Sequence, residues 1–271
     1  MSSVPDSFLE QFSRRTAGLV SEKLKRTRRD FTLRFSNIGT PCFRKLWLES
    51  RHPDSVIAHD PDQLFKFSLG DLTEEYLLFL IELTGHKVEL RQLRVSKAGI
   101  VGHIDAVVDG MLIDIKSASP FSFKKFQSGL TEEEDSFGYL VQLASYLEEA
   151  AKLPEVTYKT EAAFLVFDKV AGHIHLDRHQ FPQTNLTELF EERKELLKSD
   201  QIPDRFYQSK PDGYKNKDKK FIPNGNEYLP RACEYCPLKF KCYDNLRVFK
   251  TWDGVRYYTH IVKEPKTEEI K

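Results

Sequence analysis

The sequence predicts a mixed α/β protein, because helix-forming and strand-forming segments alternate along one chain of 271 residues. Three observations carry this prediction. A long segment with apolar residues at helical spacing is followed by three β-prone runs, and a further helical segment then precedes two more strands. This length allows one large domain or two small ones. We expect a single domain over 1–271, with a mixed sheet flanked by helices and extra helical segments near both ends.

The elements are assigned in chain order from periodicity and from chain breakers. Apolar residues three and four apart predict helices over 6–28, 42–50, 62–83, 136–151 and 184–198. β-prone runs predict strands over 87–95, 100–108, 111–117, 161–168 and 172–178. Prolines and glycines predict a long loop over 203–230, and the polar residues 260–271 predict a flexible tail. The core of the domain is expected at about 62–200.

Composition excludes some classes of protein. The chain has 41 Lys and Arg against 41 Asp and Glu, 30% charged residues and 40% hydrophobic residues, which argues against a disordered chain and against a histone-like protein. The charges are unevenly placed, with eleven basic against five acidic residues over 1–52 and seven acidic residues against Lys66 over 53–83. This pattern suits a protein that contacts phosphates and holds cations, although a solvated surface explains it too.

The sequence also bears on compartment and on the cysteines. No stretch reaches the roughly 18 apolar residues of a membrane helix, and residues 1–6 do not resemble a secretory signal. We therefore expect a cytoplasmic protein without a membrane partner. In a reducing compartment, four cysteines are better explained as metal ligands or catalytic groups than as disulfides.

One predicted hairpin gathers charge. Asp109 and Gly110 stand between two β-prone runs, which favours a two-residue type I′ turn. That turn pairs Val108 with Met111 and fixes the register outward from them. Because side chains alternate between the two faces of a strand, one face is apolar and the other is ionisable. The ionisable face carries Asp105 opposite Asp114, and His103 opposite Lys116.

Two directly opposed carboxylates destabilise a hairpin unless a cation lies between them. Mg²⁺ and Mn²⁺ prefer carboxylate oxygens, so Asp105 and Asp114 are candidate metal ligands. Lys116 would point at the same place, where it could orient an attacking water and stabilise developing negative charge. A polar, solvent-exposed face is the alternative.

These residues resemble a known nuclease signature. Asp105 followed by Asp114-Ile115-Lys116 resembles the D…(D/E)-x-K motif of the PD-(D/E)xK nuclease superfamily, and residues 102–105 look like its RecB-like branch. That branch also carries a Q-x-x-x-Y motif, which here reads Gln142 to Tyr146. The resemblance implies a restriction-endonuclease-like core and one or two Mg²⁺ or Mn²⁺ ions. The implied ligands are Asp105, Asp114, the carbonyl of Ile115, Glu74 and His103, with Gln142 and Tyr146 binding DNA.

The upstream helix motif departs from the family pattern. A glycine is normally followed four residues later by a histidine, but here Gly70 is followed by Glu74. Other members of the superfamily use glutamate at this place as a metal ligand. The pattern leaves open whether Glu74 or Glu75 faces the metal, and an exposed helical glutamate is the alternative for either.

The cysteines sharpen the resemblance. Cys42 stands alone, and the late spacing C-x₂-C-x₅-C is formed by Cys233, Cys236 and Cys242. This set looks like that of the iron–sulfur nucleases of the RecB-like branch, such as the AddB nuclease domain and the CRISPR-associated exonucleases. The resemblance implies a structural 4Fe–4S cluster that joins 36–50 to 229–247. Spacing alone fits Zn²⁺ equally well, and disulfides or a redox pair are further alternatives.

The resemblance implies a DNA exonuclease that acts on single strands or free ends, with 5′→3′ polarity favoured. Two other functions stay open. One is an endonuclease of the same fold, and the other is a non-catalytic DNA-binding scaffold subunit. Recombination or replication proteins are the partners that the resemblance implies, whereas the sequence specifies no pathway and no oligomeric state.

Overall fold

The computed structural model describes residues 31–57, 61–182, 185–251 and 254–270. The chain divides into two compact units. One consists of Met1–Thr40 and His59–Glu195, and the other of Pro41–Ala58 and Leu196–Lys271. The helix predicted over 6–28 lies outside the described residues. None of the described helices is long and apolar enough to span a bilayer.

The described helices are, in chain order, α1 (Phe35–Ile38), α2 (Phe43–Arg51), α3 (Pro61–Leu83), α4 (Pro120–Gln127), α5 (Tyr139–Ala150), α6 (Thr187–Lys198), α7 (Arg231–Glu234) and α8 (Lys239–Cys242). The described strands are β1 (Val88–Glu89), β2 (Arg94–Lys97), β3 (Ile100–His103), β4 (Ala106–Val108), β5 (Met111–Ala118), β6 (Glu161–Asp168), β7 (Ile174–Gln180), β8 (Lys210–Lys215), β9 (Phe221–Tyr228), β10 (Arg247–Thr251), β11 (Gly254–His260) and β12 (Glu269–Ile270).

The first unit is built around a mixed sheet, as the sequence predicts. Its strand order is β1-β4-β5-β6-β7, with β5 and β6 parallel and the other neighbours antiparallel. The central strand β5 alternates its side chains between two apolar layers. Leu112 packs in the cluster that contains Leu143 of α5, whereas Ile115 packs with Leu77 and Leu78 of α3. Residues of even number on β5 therefore face the side of α5.

The predicted hairpin forms, but its ladder is shorter than expected. The turn pairs Val108 with Met111, and the pairing continues to Ala106 with Ile113. Before that point the chain changes partner, because the amide of Ile104 donates to the carbonyl of Leu93 at 3.1 Å. His103 consequently lies exposed in β3, opposite Arg94 in a separate two-stranded sheet. The prediction that His103 lies opposite Lys116 on the shared face is wrong for this reason.

Helix α3 forms over the predicted range, yet the residues that predicted it are not in the core. Its buried face consists of Leu77 and Leu78, which are 3% and 1% exposed. Four of the five residues whose spacing predicted the helix are exposed instead: Leu69, Leu72, Tyr76 and Leu83. The helix is apolar on both sides, so periodicity found the helix without finding its packed face.

The second unit contains an antiparallel sheet in a region that the sequence predicts as loop. Its strand order is β12-β10-β11-β9-β8. The loop prediction over 203–230 is wrong, because β8 and β9 pair there and a register shift between Pro211 and Gly213 accommodates the proline. Within the predicted tail, Glu269 and Ile270 form β12 against β10. Elsewhere in the unit, Trp47, Leu48 and Leu238 form a small buried cluster.

Candidate active site

The two hairpin carboxylates meet at the point where the β4–β5 ladder ends. Asp114 lies on β5 and is 3% exposed. Asp105 lies just before β4, and its Oδ2 accepts a hydrogen bond of 2.7 Å from the amide of Ile115. This bond gives the Ile115 amide a partner at a position where β4 no longer pairs with β5. The hairpin prediction is thus confirmed in bringing Asp105 to β5, although a backbone contact replaces direct pairing with Asp114.

Glu74 of α3 joins these carboxylates. Its Oε1 accepts a hydrogen bond of 2.5 Å from Nε2 of Gln92. Burial raises the pKa of Glu74, and the negative charges of Glu75 and Asp114 raise it further. Glu75, in contrast, is exposed and lies 3.8 Å from a guanidinium nitrogen of Arg91. Of the two glutamates that the sequence left open, Glu74 is therefore the one beside the aspartates.

Lys116 supplies the positive charge next to them. Its Nζ forms an ion pair with Oδ2 of Asp114 and lies 4.8 Å from the centre of the Tyr139 ring. Burial alone would favour the neutral amine, but attraction by Asp114 and Asp105 outweighs it and raises the pKa of Lys116. The ammonium therefore stays protonated at neutral pH and is a donor rather than a base.

Asp105 is the most strongly perturbed carboxyl in this group. Burial, followed by the charges of Asp114 and Glu74, raises the pKa of Asp105 from 3.8 to about 8. A buried carboxyl surrounded by like charges resists ionisation because no water solvates the anion. A divalent cation would offset that repulsion, so the donor set is chemically suited to one.

The raised pKa of Asp105 predicts how the stability of the metal-free protein depends on pH. Unfolded Asp105 ionises near pH 4, whereas the folded protein keeps the proton until about pH 8. The protein should therefore lose stability as pH rises through this window, by up to about 1.4 kcal/mol per pH unit. In Asp105→Asn that slope should be absent, so the variant should be more stable than wild type at pH 8 and similar near pH 4. Urea unfolding in EDTA measures both curves.

The matched control is Asp109→Asn in the exposed turn. A hydrogen bond from His86 lowers the pKa of Asp109, so this substitution should change stability in the opposite direction. Identical pH slopes for wild type and Asp105→Asn would contradict the assignment of Asp105 as a buried, protonated carboxyl.

Gln142 and Tyr146 of α5 lie against Asp114 and are largely buried. Nε2 of Gln142 donates to Oδ1 of Asp114 at 3.4 Å, and Gln142 is also a side-chain hydrogen-bond partner of Tyr146. Burial, followed by the charge of Asp114, raises the pKa of Tyr146 to about 12. The side chains are 8% and 5% exposed. What is observed is contact with the carboxylate, and DNA contact by these residues stays a prediction.

Two neighbours of the site were missed from the sequence. Tyr139 precedes Gln142 by three residues and Tyr146 by seven, so helical spacing could have placed it on the same face. Gln92 lies in a loop between β1 and β2, and nothing in the sequence signals its contact with Glu74. Gly102 has a packing role as well, since a Cβ there would lie 2.6 Å from Tyr146 and 2.7 Å from Phe35.

The four cysteines all belong to the second unit. They are free thiols of intermediate exposure. Burial raises the pKa of Cys233 to about 12, and repulsion from Cys236, Cys42 and Cys242 adds to the effect. The thiols therefore neighbour one another, as a shared cluster would require. Within the described ranges, however, no group of three or more His, Cys, Asp or Glu side chains is arranged to hold a metal ion. This finding applies to the four thiols and equally to the carboxylates of Glu74, Asp105 and Asp114.

Comparison with known proteins gives structural neighbours only. No family model matches the chain, and no curated protein matches it. The solved structure of SSO0001 is 15% identical with a TM-score of 0.44, over 86% of this chain and 95% of that chain. The alkaline exonuclease LHK-Exo from Laribacter hongkongensis is 18% identical with a TM-score of 0.35, over 47% of this chain and 64% of that chain.

A phage-related exonuclease from Haemophilus somnus 129PT is 15% identical with a TM-score of 0.39, over 63% of this chain and 92% of that chain. Two of these three neighbours are exonucleases. With TM-scores below 0.5, these likenesses establish neither a family nor an activity for this chain.

Proposed function

We propose that this chain is a metal-dependent DNA exonuclease. One observation carries the proposal, namely the convergence of Glu74, Asp105, Asp114 and Lys116 in the first unit. The charge of Asp114 helps to raise the pKa values of Glu74 and Asp105. Like charges packed together in this way do not stabilise a fold, and such arrangements are concentrated at functional sites. The lysine beside them provides the stable positive charge that a phosphodiester substrate needs.

Mg²⁺ or Mn²⁺, as one or two ions, would be held by Asp105, Asp114, Glu74 and the carbonyl of Ile115. The Ile115 amide donates to Asp105, and the N–H and C=O of a strand residue point to the same side, which supports the carbonyl as a ligand. When bound, the ion would polarise the phosphodiester and offset its negative charge. Asp114 is buried at 3% exposure, and its Oδ2 pairs with the ammonium of Lys116.

The protein's own groups have separate roles in this proposal. Lys116 holds its ammonium toward the carboxylates, where it would donate to a phosphate oxygen and orient the attacking water. Tyr139 fixes that ammonium against its ring. Gln142 donates to Asp114 and keeps the carboxylate oriented, while Tyr146 supports Gln142.

We infer from the sequence resemblance that the substrate is single-stranded DNA or DNA with free ends, cleaved with 5′→3′ polarity. The test uses wild-type protein with Mg²⁺ or Mn²⁺ on two substrates, an end-labelled linear single strand and a covalently closed circle. An exonuclease should degrade the linear strand and leave the circle intact. Opening of the circle would indicate an endonuclease, and retention of DNA without cleavage in both ions would indicate a scaffold subunit.

The second unit is proposed to carry a structural 4Fe–4S cluster on Cys42, Cys233, Cys236 and Cys242, with Zn²⁺ as the alternative. Its role would be to join the segment around Cys42 to the segment that contains the other three thiols. Protein purified anaerobically should show a broad absorption band near 400 nm, because iron–sulfur charge transfer falls there. A colourless sample that contains zinc would contradict the iron–sulfur assignment.

A further inference from the structure

An exposed phenyl ring lies beside the candidate active site. Phe137 is 65% exposed, and its ring stacks on that of Tyr139 with centroids 5.3 Å apart and planes at 21°. Tyr139 is in turn the residue that holds the ammonium of Lys116 against its ring. Two contacts therefore connect this exposed ring to Lys116.

The backbone holds Phe137 in a fixed turn. The buried carboxylate of Asp135 accepts hydrogen bonds from the amides of Phe137 at 3.2 Å, Gly138 at 2.8 Å and Leu140 at 2.8 Å. Gly138 has a φ of 78°, and a Cβ there would lie 2.0 Å from the carbonyl oxygen of Gly39. Buried contacts thus fix the conformation of the turn, whereas the ring of Phe137 remains exposed to solvent.

A second exposed ring and a cation lie near this turn. Phe121, at the start of α4, is 73% exposed, and Nζ of Lys125 lies 5.6 Å from the centre of its ring. The same Nζ donates to the carbonyl of Glu134 at 2.9 Å, three residues before Phe137. Lys125 therefore connects α4 to the turn that contains Phe137. The surface beside the candidate active site thus carries two exposed aromatic rings, with the ammonium of Lys125 contacting both α4 and the turn.

Exposed aromatic rings combined with positive charge are the means by which proteins bind single-stranded nucleic acid. A base in a duplex is stacked between its neighbours, so its face is not available to a protein ring. A single strand offers its bases freely, and stacking on an aromatic side chain contributes about 1–3 kcal/mol per base.

We propose that Phe137 is a stacking platform for a base of single-stranded DNA and that it positions the adjoining phosphate at Lys116 and the carboxylates. Phe121 and Lys125 extend the same surface. The inference rests on the proposed nuclease function and adds a selectivity to it, since only an unpaired nucleotide can stack there. Phe137 is a positioning residue, because it acts on the base rather than on the reacting phosphate.

The test measures binding apart from cleavage. Anisotropy of a fluorescein-labelled oligothymidine is measured in the Asp114→Asn background, with Phe137 either intact or replaced by alanine. Phe137→Ala should weaken binding about 5- to 150-fold, as the loss of one stacked base requires. Phe137→Trp should restore it. A strand of abasic sites, which offers no base to stack, should bind both proteins equally.

Phe79→Ala is the matched control, because Phe79 is 51% exposed on α3, which covers the other face of the sheet. Binding of oligothymidine should be unchanged in that variant. Unchanged binding in Phe137→Ala, or equal losses for oligothymidine and the abasic strand, would overturn the stacking assignment. These binding measurements need no cleavage. If wild-type protein failed to cut DNA, that result would contradict the proposed nuclease function but not the stacking assignment.

Discussion

Replacing Lys116 with methionine should lower the rate of DNA cleavage about 10²- to 10³-fold, which is the loss seen when a preorganised donor to a developing negative charge is removed. Methionine approaches lysine in length and fits an apolar contact with the Tyr139 ring, so the substitution removes mainly the charge. The ammonium pairs with Asp114 and keeps a raised pKa. Its contribution should therefore persist across neutral and mildly alkaline pH.

Single-turnover degradation of an end-labelled single strand measures this loss, since it reports the chemical step without product release. Removing one partner of a buried ion pair also destabilises the fold, so circular dichroism must confirm that the variant is folded at the assay temperature. The control is Lys152→Met in the turn just after α5, where the exposed lysine pairs with Glu149 at 2.5 Å. Cleavage by Lys116→Met at the wild-type rate would remove Lys116 from the mechanism.

The site could be predicted largely from the sequence because a single turn determines it. Asp109 and Gly110 specify the hairpin, and the register from Val108 and Met111 then places Asp105 close to Asp114 without further information. The same extrapolation failed for His103, two residues further out. Before Ala106 the chain no longer pairs with β5, because its backbone forms hydrogen bonds with the loop before β2 instead. A register counted from the turn predicts neighbours only where the two strands remain paired.

Contacts across long sequence separations could not be predicted in this way. The hydrogen bond from Gln92 to Glu74 joins a loop to a helix, and no periodicity connects the two residues. The exposed apolar stripe of α3 shows the same limit, because spacing identifies a helix but not its packed side. In the second unit, Pro211 and Gly213 indicated loop, yet a register shift lets β8 pair with β9 across them.

The largest expected effect belongs to Asp114. Asparagine at this position can still accept the hydrogen bond from Gln142, but it lacks the charge that pairs with Lys116 and that would bind a divalent cation. We expect Asp114→Asn to lose cleavage about 10³-fold or more. The matched control is Asp168→Asn, because Asp168 is equally buried at 3% exposure. Its Oδ1 accepts from the amides of Val170 and Ala171, which asparagine can do as well.

The most direct test of the account is the release of nucleotides from linear single-stranded DNA by wild type, Asp114→Asn and Asp168→Asn, each with Mg²⁺, with Mn²⁺ and with EDTA. We expect release by wild type and Asp168→Asn with either ion, none with EDTA, and almost none from Asp114→Asn under any condition. Cleavage by Asp114→Asn at the wild-type rate, or undiminished cleavage in EDTA, would contradict a metal-dependent nuclease site at these carboxylates.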